Sequence, residues 1–361
     1  MLHTIEEAIA DIKNGKLIIV VDNEDRENEG DFICAAETIS PEIVNFMATQ
    51  GRGLICAPIE TTRADELQLP LMVRTNTSLH ETAFTVSIDL IGHGCSTGIS
   101  TYDRALTIKA LSDEKFIHSD FARPGHIFPL RSMKGGVLRR TGHTEATVDL
   151  ARLAGLKPAG ALVEILNDDG SMARLPDLLT KSKQWGMKII SIHDLVEYRL
   201  KKESLIQVSK SFTIQKNNTE FHVILYDQIN SSDQHIAIVK GNISNSEFPV
   251  VRVQYCDTYS ELLDVLLNDN NSLLVKCMQL LSSVEAGMLL LINNKEKFID
   301  PFYRLQTVEQ TKGITDHREI GIGAQILKDL GIQKMKLITN SPKKAIGLEA
   351  YGIEIVDYVP F

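Results

Sequence analysis

Apolar and polar positions change period repeatedly along the chain, and each change marks an element. The opening residues carry a capping pair, Thr4 and Glu7, and Gly15 stands where a left-handed residue ends a helix, so a helix is predicted between them. KLIIVVD, residues 16–22, is a short apolar run rich in β-branched residues and predicts a buried strand. Ser40-Pro41 predicts a second helix start, with serine as cap and proline at the first helical position. RPGHIFPLR, 123–131, reads as a Pro/Gly-rich loop. TEATVDLARLAG, 144–155, and PDLLTKSKQWG, 176–186, have helical spacing and end on glycine; MKIISI, 187–192, follows as a strand.

The charged stretch EYRLKKESLIQVSK, 197–210, has no clear breaker and is the expected domain junction. Beyond it, FHVILYD, HIAIVKG and FPVVRVQY read as strands. The C-terminal residues alternate helix (322–331), strand (335–339), helix (342–352) and strand (353–359), which predicts an α/β domain with part of its sheet parallel. No internal repeat or low-complexity tract breaks the pattern.

Composition narrows the function classes. The chain has 361 residues, 43% hydrophobic and 24% charged, enough for two ordinary domains. No apolar run approaches the ~20 residues of a membrane span, and the acidic N-terminus has no signal-peptide core. Five scattered cysteines without a CxxC pair predict reduced thiols and a cytoplasmic location. A net charge of -9 points away from nucleic acid as the main partner.

Chemistry concentrates in three places. DNEDRENEGD, 22–31, holds six carboxylates (Asp22, Glu24, Asp25, Glu27, Glu29 and Asp31) against one Arg26. It is either a solvated acidic turn or, because it leaves the end of a buried strand, a site for a hard cation such as Mg²⁺ or Mn²⁺. LRRTGHTEA brings Arg140, Thr141, Gly142, His143, Thr144 and Glu145 to a helix start, where backbone N–H groups attract anions. There Thr144 caps the helix, serves a phosphate cradle, or does both. Glu164 sits in the apolar strand of ALVEILNDDG, turned outward or functional. Cys56 reads as a packed strand residue.

DNEDRENEGD, STGIS at 96–100, RPGHIFPLR and RRTGHTEATVDLARLAG, in that order, resemble the 3,4-dihydroxy-2-butanone 4-phosphate synthase family over about residues 1–200. The resemblance implies an α+β fold, with a three-layer mixed-sheet domain at 1–202. It implies formation of 3,4-dihydroxy-2-butanone 4-phosphate and formate from ribulose 5-phosphate by a homodimer with sites near its interface. Glu27 and His143 then correspond to ligands of Mg²⁺, or of Mn²⁺ in its place. Arg26, Glu27, Asp31, Glu164 and the segment Arg140, Thr141, Gly142 and Thr144 correspond to substrate contacts. His126 and Glu164 match essential positions, and Asp31 is expected to share acid–base work with Glu164.

Residues 203–361 resemble GTP cyclohydrolase II in part: VVRVQYC at 250–256, TDHREIGIGAQILKDLGI at 315–332 and the C-terminal GIEIVDYVP. That family holds zinc with three cysteines, the second and third eleven and thirteen residues after the first. Counted from Cys256, those positions are Leu267 and Asp269, and Cys277 is out of register. The family's glycine-rich REGRG segment is also missing; the corresponding stretch reads LLLINNKEKFID. The expectation is a smaller α/β cyclohydrolase-like domain without zinc or activity. A bifunctional enzyme that also hydrolyses GTP is the alternative.

Overall fold

The computed structural model describes residues 2–24, 26–78, 82–216, 218–229, 231, 233–256, 272–293, 317–339 and 352–360. The chain divides into two compact units, Met1–Arg199 and Leu200–Phe361. Each is built on a seven-stranded sheet.

In the first unit the strands are β1 (Ile18–Val21), β2 (Gly30–Ala35), β3 (Cys56–Glu60), β4 (Ile88–Leu90), β5 (Phe121–Ser132), β6 (Gly160–Glu164) and β7 (Ile189–Ser191), in the order β4-β5-β3-β6-β2-β1-β7. The sheet is mixed, with β1/β7 and β3/β5 parallel and the other pairs antiparallel. All four residues of β1 are buried, which explains why its sequence is apolar throughout rather than alternating. Successive residues serve opposite faces: Ile19, Val21, Phe32, Cys34, Ala161 and Val163 join one core cluster, and the residues between them face the other side.

That cluster is covered by α2 (Pro41–Phe46), α4 (Thr101–Ser112) and α6 (Leu175–Trp185), where Phe32, Phe46 and Trp185 pack ring against ring. The opposite face carries α1 (Ile5–Lys13) and α5 (His143–Leu153), giving three layers. A short α3 (Thr61–Glu66) follows β3, and α7 (Ile192–Lys202) follows β7. The predicted Thr4–Glu7 capping box is formed, and Ser40 caps α2 with Pro41 at its start.

Helix α5 is buried along His143–Ala151, polar residues included. Its Asp149 is compensated: it accepts from the Val137 N–H at 2.8 Å, from Arg199 at 2.6 Å and from Arg152 at 2.9 Å. Removing one partner of a buried ionic network leaves the others unpaired and costs about 3–5 kcal/mol. Asp149→Ala is therefore expected to lower the thermal midpoint by on the order of 10 °C in calorimetry; an unchanged midpoint would contradict this account.

Two expectations are corrected here, the loop at His126 and the cap at Thr144. The Pro/Gly-rich stretch around His126 is not a loop but the middle of β5, paired irregularly with β4. Glycine and proline are accommodated because β4 is only three residues long and its register with β5 shifts between Ile88 and Asp89. The charged 197–210 stretch contains the division between the two units, at Arg199 and Leu200; α7 runs to Lys202 and β8 (Ile206–Lys216) begins four residues later. Most of its charges belong to the end of α7, where Arg199 is buried against Asp149, and Lys210 lies on the exposed edge strand β8. Thr144 does not cap α5; Gly142 occupies the N-cap, with no side-chain cap.

The second unit orders its strands β14-β13-β11-β12-β10-β9-β8. After β8 come β9 (Thr219–Gln228), β10 (Gln234–Lys240), β11 (Val250–Cys256), β12 (Gly287–Asn293), β13 (Lys334–Ile338) and β14 (Glu354–Val359). β8, β9, β10 and β12 pair antiparallel, and β12, β11, β13 and β14 run parallel. The described helices are α8 (Leu273–Ser283) and α9 (His317–Asp329). The helix expected at 342–352 lies almost entirely outside the described residues, and Leu267 and Asp269 lie outside them too. Cys277 is buried on α8 among Phe221, Leu281, Leu289 and Ile338. Among the described residues, no helix is long and apolar enough to cross a membrane.

Candidate active site

On the α5 face of the first sheet, four strands (β2, β3, β5 and β6) and the start of α5 enclose a pocket of about 140 Å³. Its lining includes Arg26, Glu27, Glu29, Asp31, Cys56, Thr82, Arg140, His143, Thr144 and Glu164. Strand register brings two of its carboxylates together, because Asp31 on β2 stands directly opposite Glu164 on β6. Glu164 is thus neither an outward strand residue nor free: it accepts the Leu54 N–H at 2.8 Å. Gly53 makes this approach possible, since a Cβ there would come within 2.3 Å of the Glu164 carboxylate.

The acidic loop between β1 and β2 is folded around Asp22. Its carboxylate accepts the N–H of Glu27 at 3.0 Å, the N–H of Glu29 at 2.8 Å and the Arg26 guanidinium at 3.0 Å. Glu24 faces solvent, and Asp25 lies outside the described residues. The loop is therefore organised, and Glu27 is directed inward beside Arg26 (2.8 Å) and His143 (3.7 Å).

His143 is fully buried at the start of α5. Its Nε2 is 3.1 Å from the carbonyl oxygen of Val20, an acceptor only, which fixes the proton on Nε2 in the neutral ring. Nδ1 then presents a lone pair toward Glu27 and toward Asp31, 4.0 Å away. Ligand atoms of Asp22, Glu27 and His143 all lie within 4.8 Å of one another. Two hard oxygens and one imidazole nitrogen suit Mg²⁺ or Mn²⁺. Asp31 supports that fit, because its Oδ1 is buried without a hydrogen-bond partner. A cation beside it would compensate a group otherwise costly to bury.

The electrostatics divide the groups. Burial would raise the Glu27 pKa, but hydrogen bonding to His143 and the charge of Arg26 hold it down at about 2. Asp31 is pushed up to about 7 by burial, opposed by His143 and reinforced by Glu164, Glu27 and Glu29. Burial would lower the His143 pKa, but Asp31 and Glu27 raise it to about 9. A proton on Nδ1 competes with any cation there. The charged imidazole is favoured below about 6.5 and lost as pH rises through about 9. Divalent cation affinity is therefore expected to climb with pH between 6 and 9, which Mn²⁺ titration at several pH values would check; a flat profile would remove His143 from the ligand set.

Beside this cluster lies a corner whose groups suit an anion. The N-terminus of α5 opens into it, with Thr144 on the first turn. Arg140 lines it, held by Glu145 at 2.7 Å; Glu145 is itself buried and accepts the Met133 N–H at 3.0 Å. Thr141 and Gly142 form the turn into the helix. His126 is not brought to this pocket. It sits on β5 with its side chain 43% exposed, and Nδ1 is 2.7 Å from Asp89. Sequence reasoning missed Asp22 as the organiser of the loop, Asp89 as the partner of His126, Glu145 as the partner of Arg140, and Thr82 in the lining. Asp22 alone carried a local signal, as the first polar residue after a buried strand.

Residues 6–198 match the sequence model for 3,4-dihydroxy-2-butanone 4-phosphate synthase, and residues 207–360 match that for GTP cyclohydrolase II. The riboflavin biosynthesis protein RibBA of Cytophaga hutchinsonii is 48% identical over 372 residues, covering 99% of this chain and 92% of the relative. The protein of that name from Bacillus cereus is 47% identical, covering 100% of this chain and 94% of the relative. RibBX, a two-domain 3,4-dihydroxy-2-butanone 4-phosphate synthase from A. baumannii, superposes with a TM-score of 0.80 at 36% identity over 99% of both chains. A synthase solved with two magnesium ions is 40% identical, covers 55% of this chain and 96% of its own, and has a TM-score of 0.53. The chain belongs to the 3,4-dihydroxy-2-butanone 4-phosphate synthase family, followed by a region of the GTP cyclohydrolase II family.

Proposed function

We propose that the pocket converts D-ribulose 5-phosphate into 3,4-dihydroxy-2-butanone 4-phosphate and formate, as a step of riboflavin biosynthesis. The observation that carries this reading is the junction of two unlike subsites: a carboxylate–imidazole cluster for a cation, and a helix N-terminus with Arg140 for a phosphate. Magnesium or manganese bound by Glu27 and His143 would acidify the proton beside the sugar carbonyl and stabilise the oxyanion formed when it leaves. Arg140, Thr144 and the α5 N-terminus hold the phosphate and so fix the reacting carbons. Arg26 completes the contacts near the metal end. Asp31 and Glu164, opposed across two strands, accept and return protons through enolisation, loss of water, rearrangement and release of formate. An Asp31 pKa near 7 suits a group that must do both at neutral pH.

His126 fits this reading through a homodimer. Its imidazole is exposed and held by Asp89; on this reading it serves the pocket of a second copy, where it would shuttle protons. For the second unit, a catalytic zinc site requires about three protein ligands, and Cys256 and Cys277 are its only cysteines. Cys277 is spent in the core. We therefore read this unit as lacking zinc and cyclohydrolase activity. The match to GTP cyclohydrolase II and the RibBA relatives keep a bifunctional enzyme as the second reading.

One experiment separates them: formate release from ribulose 5-phosphate and from GTP, each with Mg²⁺ or Zn²⁺. Formate from ribulose 5-phosphate alone, abolished by EDTA, is the expected result. Formate from GTP would establish the bifunctional enzyme, and none from either substrate would reject the synthase.

A further inference from the structure

Arg174 lies 147 residues from Glu27 in sequence, yet its guanidinium donates to the Glu27 carbonyl oxygen at 3.0 Å and to the carbonyl oxygen of Asn28. It stands at the N-cap of α6 and is itself anchored, because its backbone N–H donates to Asp177 at 3.0 Å. One turn along the same helix, Leu178 packs against the exit of the acidic loop; a Cβ on Gly30 would come within 2.4 Å of it. Helix α6 thus meets the loop twice, by charge at Glu27–Asn28 and by apolar contact at Gly30.

The loop needs such support. Asp22 organises it from within, and Asn28 adopts a left-handed conformation with φ of 55°. Left-handed backbone is unfavourable for most non-glycine residues and persists where surroundings hold it. Both bonds leave one guanidinium nitrogen, Nη1, whose two N–H groups engage two successive carbonyl oxygens at once. The guanidinium also adds positive charge behind a loop crowded with Asp22, Glu27, Glu29 and Asp31.

We propose that Arg174 is a positioning residue for the metal site: by clamping the Glu27 and Asn28 carbonyls to α6, it fixes the backbone from which Glu27 reaches the cation. This rests on the reading of Glu27 and His143 as ligands. Groups that orient metal ligands from outside typically cost 10–100-fold in metal affinity when removed. The test is Mn²⁺ binding to the full-length chain, measured by electron paramagnetic resonance of free Mn²⁺, with thermal midpoints recorded in parallel. Arg174→Ala is expected to weaken Mn²⁺ binding by about tenfold or more. Arg174→Lys should recover part of the loss, and should decide the matter alone if the alanine variant does not fold. At saturating Mn²⁺ the KM for ribulose 5-phosphate should stay near that of the wild type. Glu27→Ala is the control. If it binds Mn²⁺ normally, the ligand assignment itself is wrong and the clamp falls with it. If it loses Mn²⁺ while both Arg174 variants bind like the wild type, the ligands stand and the clamp is overturned. A lowered midpoint with unchanged Mn²⁺ affinity would equally overturn it, leaving Arg174 a stabiliser of α6.

Discussion

Glu27→Gln is expected to fold and to lose kcat/KM for ribulose 5-phosphate by ~10³ or more, about 4 kcal/mol of transition-state stabilisation. The side chain is half-buried and ionised at any working pH, because His143 and Arg26 outweigh the cost of burying it. Glutamine keeps the shape but removes the charge, and it can turn an N–H₂ donor toward Arg26 and His143, which already supply protons. Both the cation and the charge balance of the cluster are lost together. A second readout follows. At one hundred times its Kd a cation stabilises the native state by ~2.7 kcal/mol, so the wild-type midpoint should rise by several degrees with Mg²⁺ or Mn²⁺. In Glu27→Gln it should not move. A variant with near-normal activity and an intact metal response would remove Glu27 from the ligand set.

The second large effect is expected at Asp31. Asp31→Asn should lower kcat by ~10²–10³, the usual contribution of a positioned acid–base group. It should do so without lowering the thermal midpoint. Asp31 is 3% exposed, its Oδ1 has no hydrogen-bond partner, and burial favours its neutral form. A raised carboxyl pKa has a defined sign for folding. The native state binds the proton more tightly than the unfolded chain, so this contribution is present below about 4 and is lost as pH rises through about 7. A neutral amide escapes that loss. The metal-free variant should therefore lose less of its midpoint between pH 5 and 8 than the wild type does. A variant that unfolds early, or that retains its turnover, would show that Asp31 serves the fold instead of the chemistry.

Much of this was readable from residues alone, for identifiable reasons. Strand β1 and helices α1, α2, α5 and α6 announce themselves through apolar spacing and caps that act within a few residues. The acidic loop and the Arg140–Thr144 segment were legible because each is contiguous. Partnerships across the sheet were not. That Glu164 faces Asp31 depends on the antiparallel register of β2 and β6, and that His143 has a fixed tautomer depends on the Val20 carbonyl. β5 was hidden because its glycine and two prolines argue for a loop; Pro124 and Gly125 lie where the pairing with β4 is irregular, and Pro129 pairs with Ala57 of β3. β8 was hidden because its alternation of Ile206, Val208, Phe212 and Ile214 is interrupted by Lys210, where its register with β9 shifts.

The hydrogen bond from His143 to Val20 spans 123 residues, and the nearby Asp22 and Glu27 belong to the same early segment of chain as Val20. In an unfolded chain these groups are rarely close, because closing so long a loop is entropically unfavourable. The cation therefore cannot act as a seed around which the chain organises, as it does in small zinc domains. It enters a site that folding has already made, and its influence is felt afterwards, on the rate at which the finished structure comes apart. Chelation should accordingly leave refolding speed almost untouched while hastening escape from the native state, so that metal supply governs how long the protein lasts more than whether it forms.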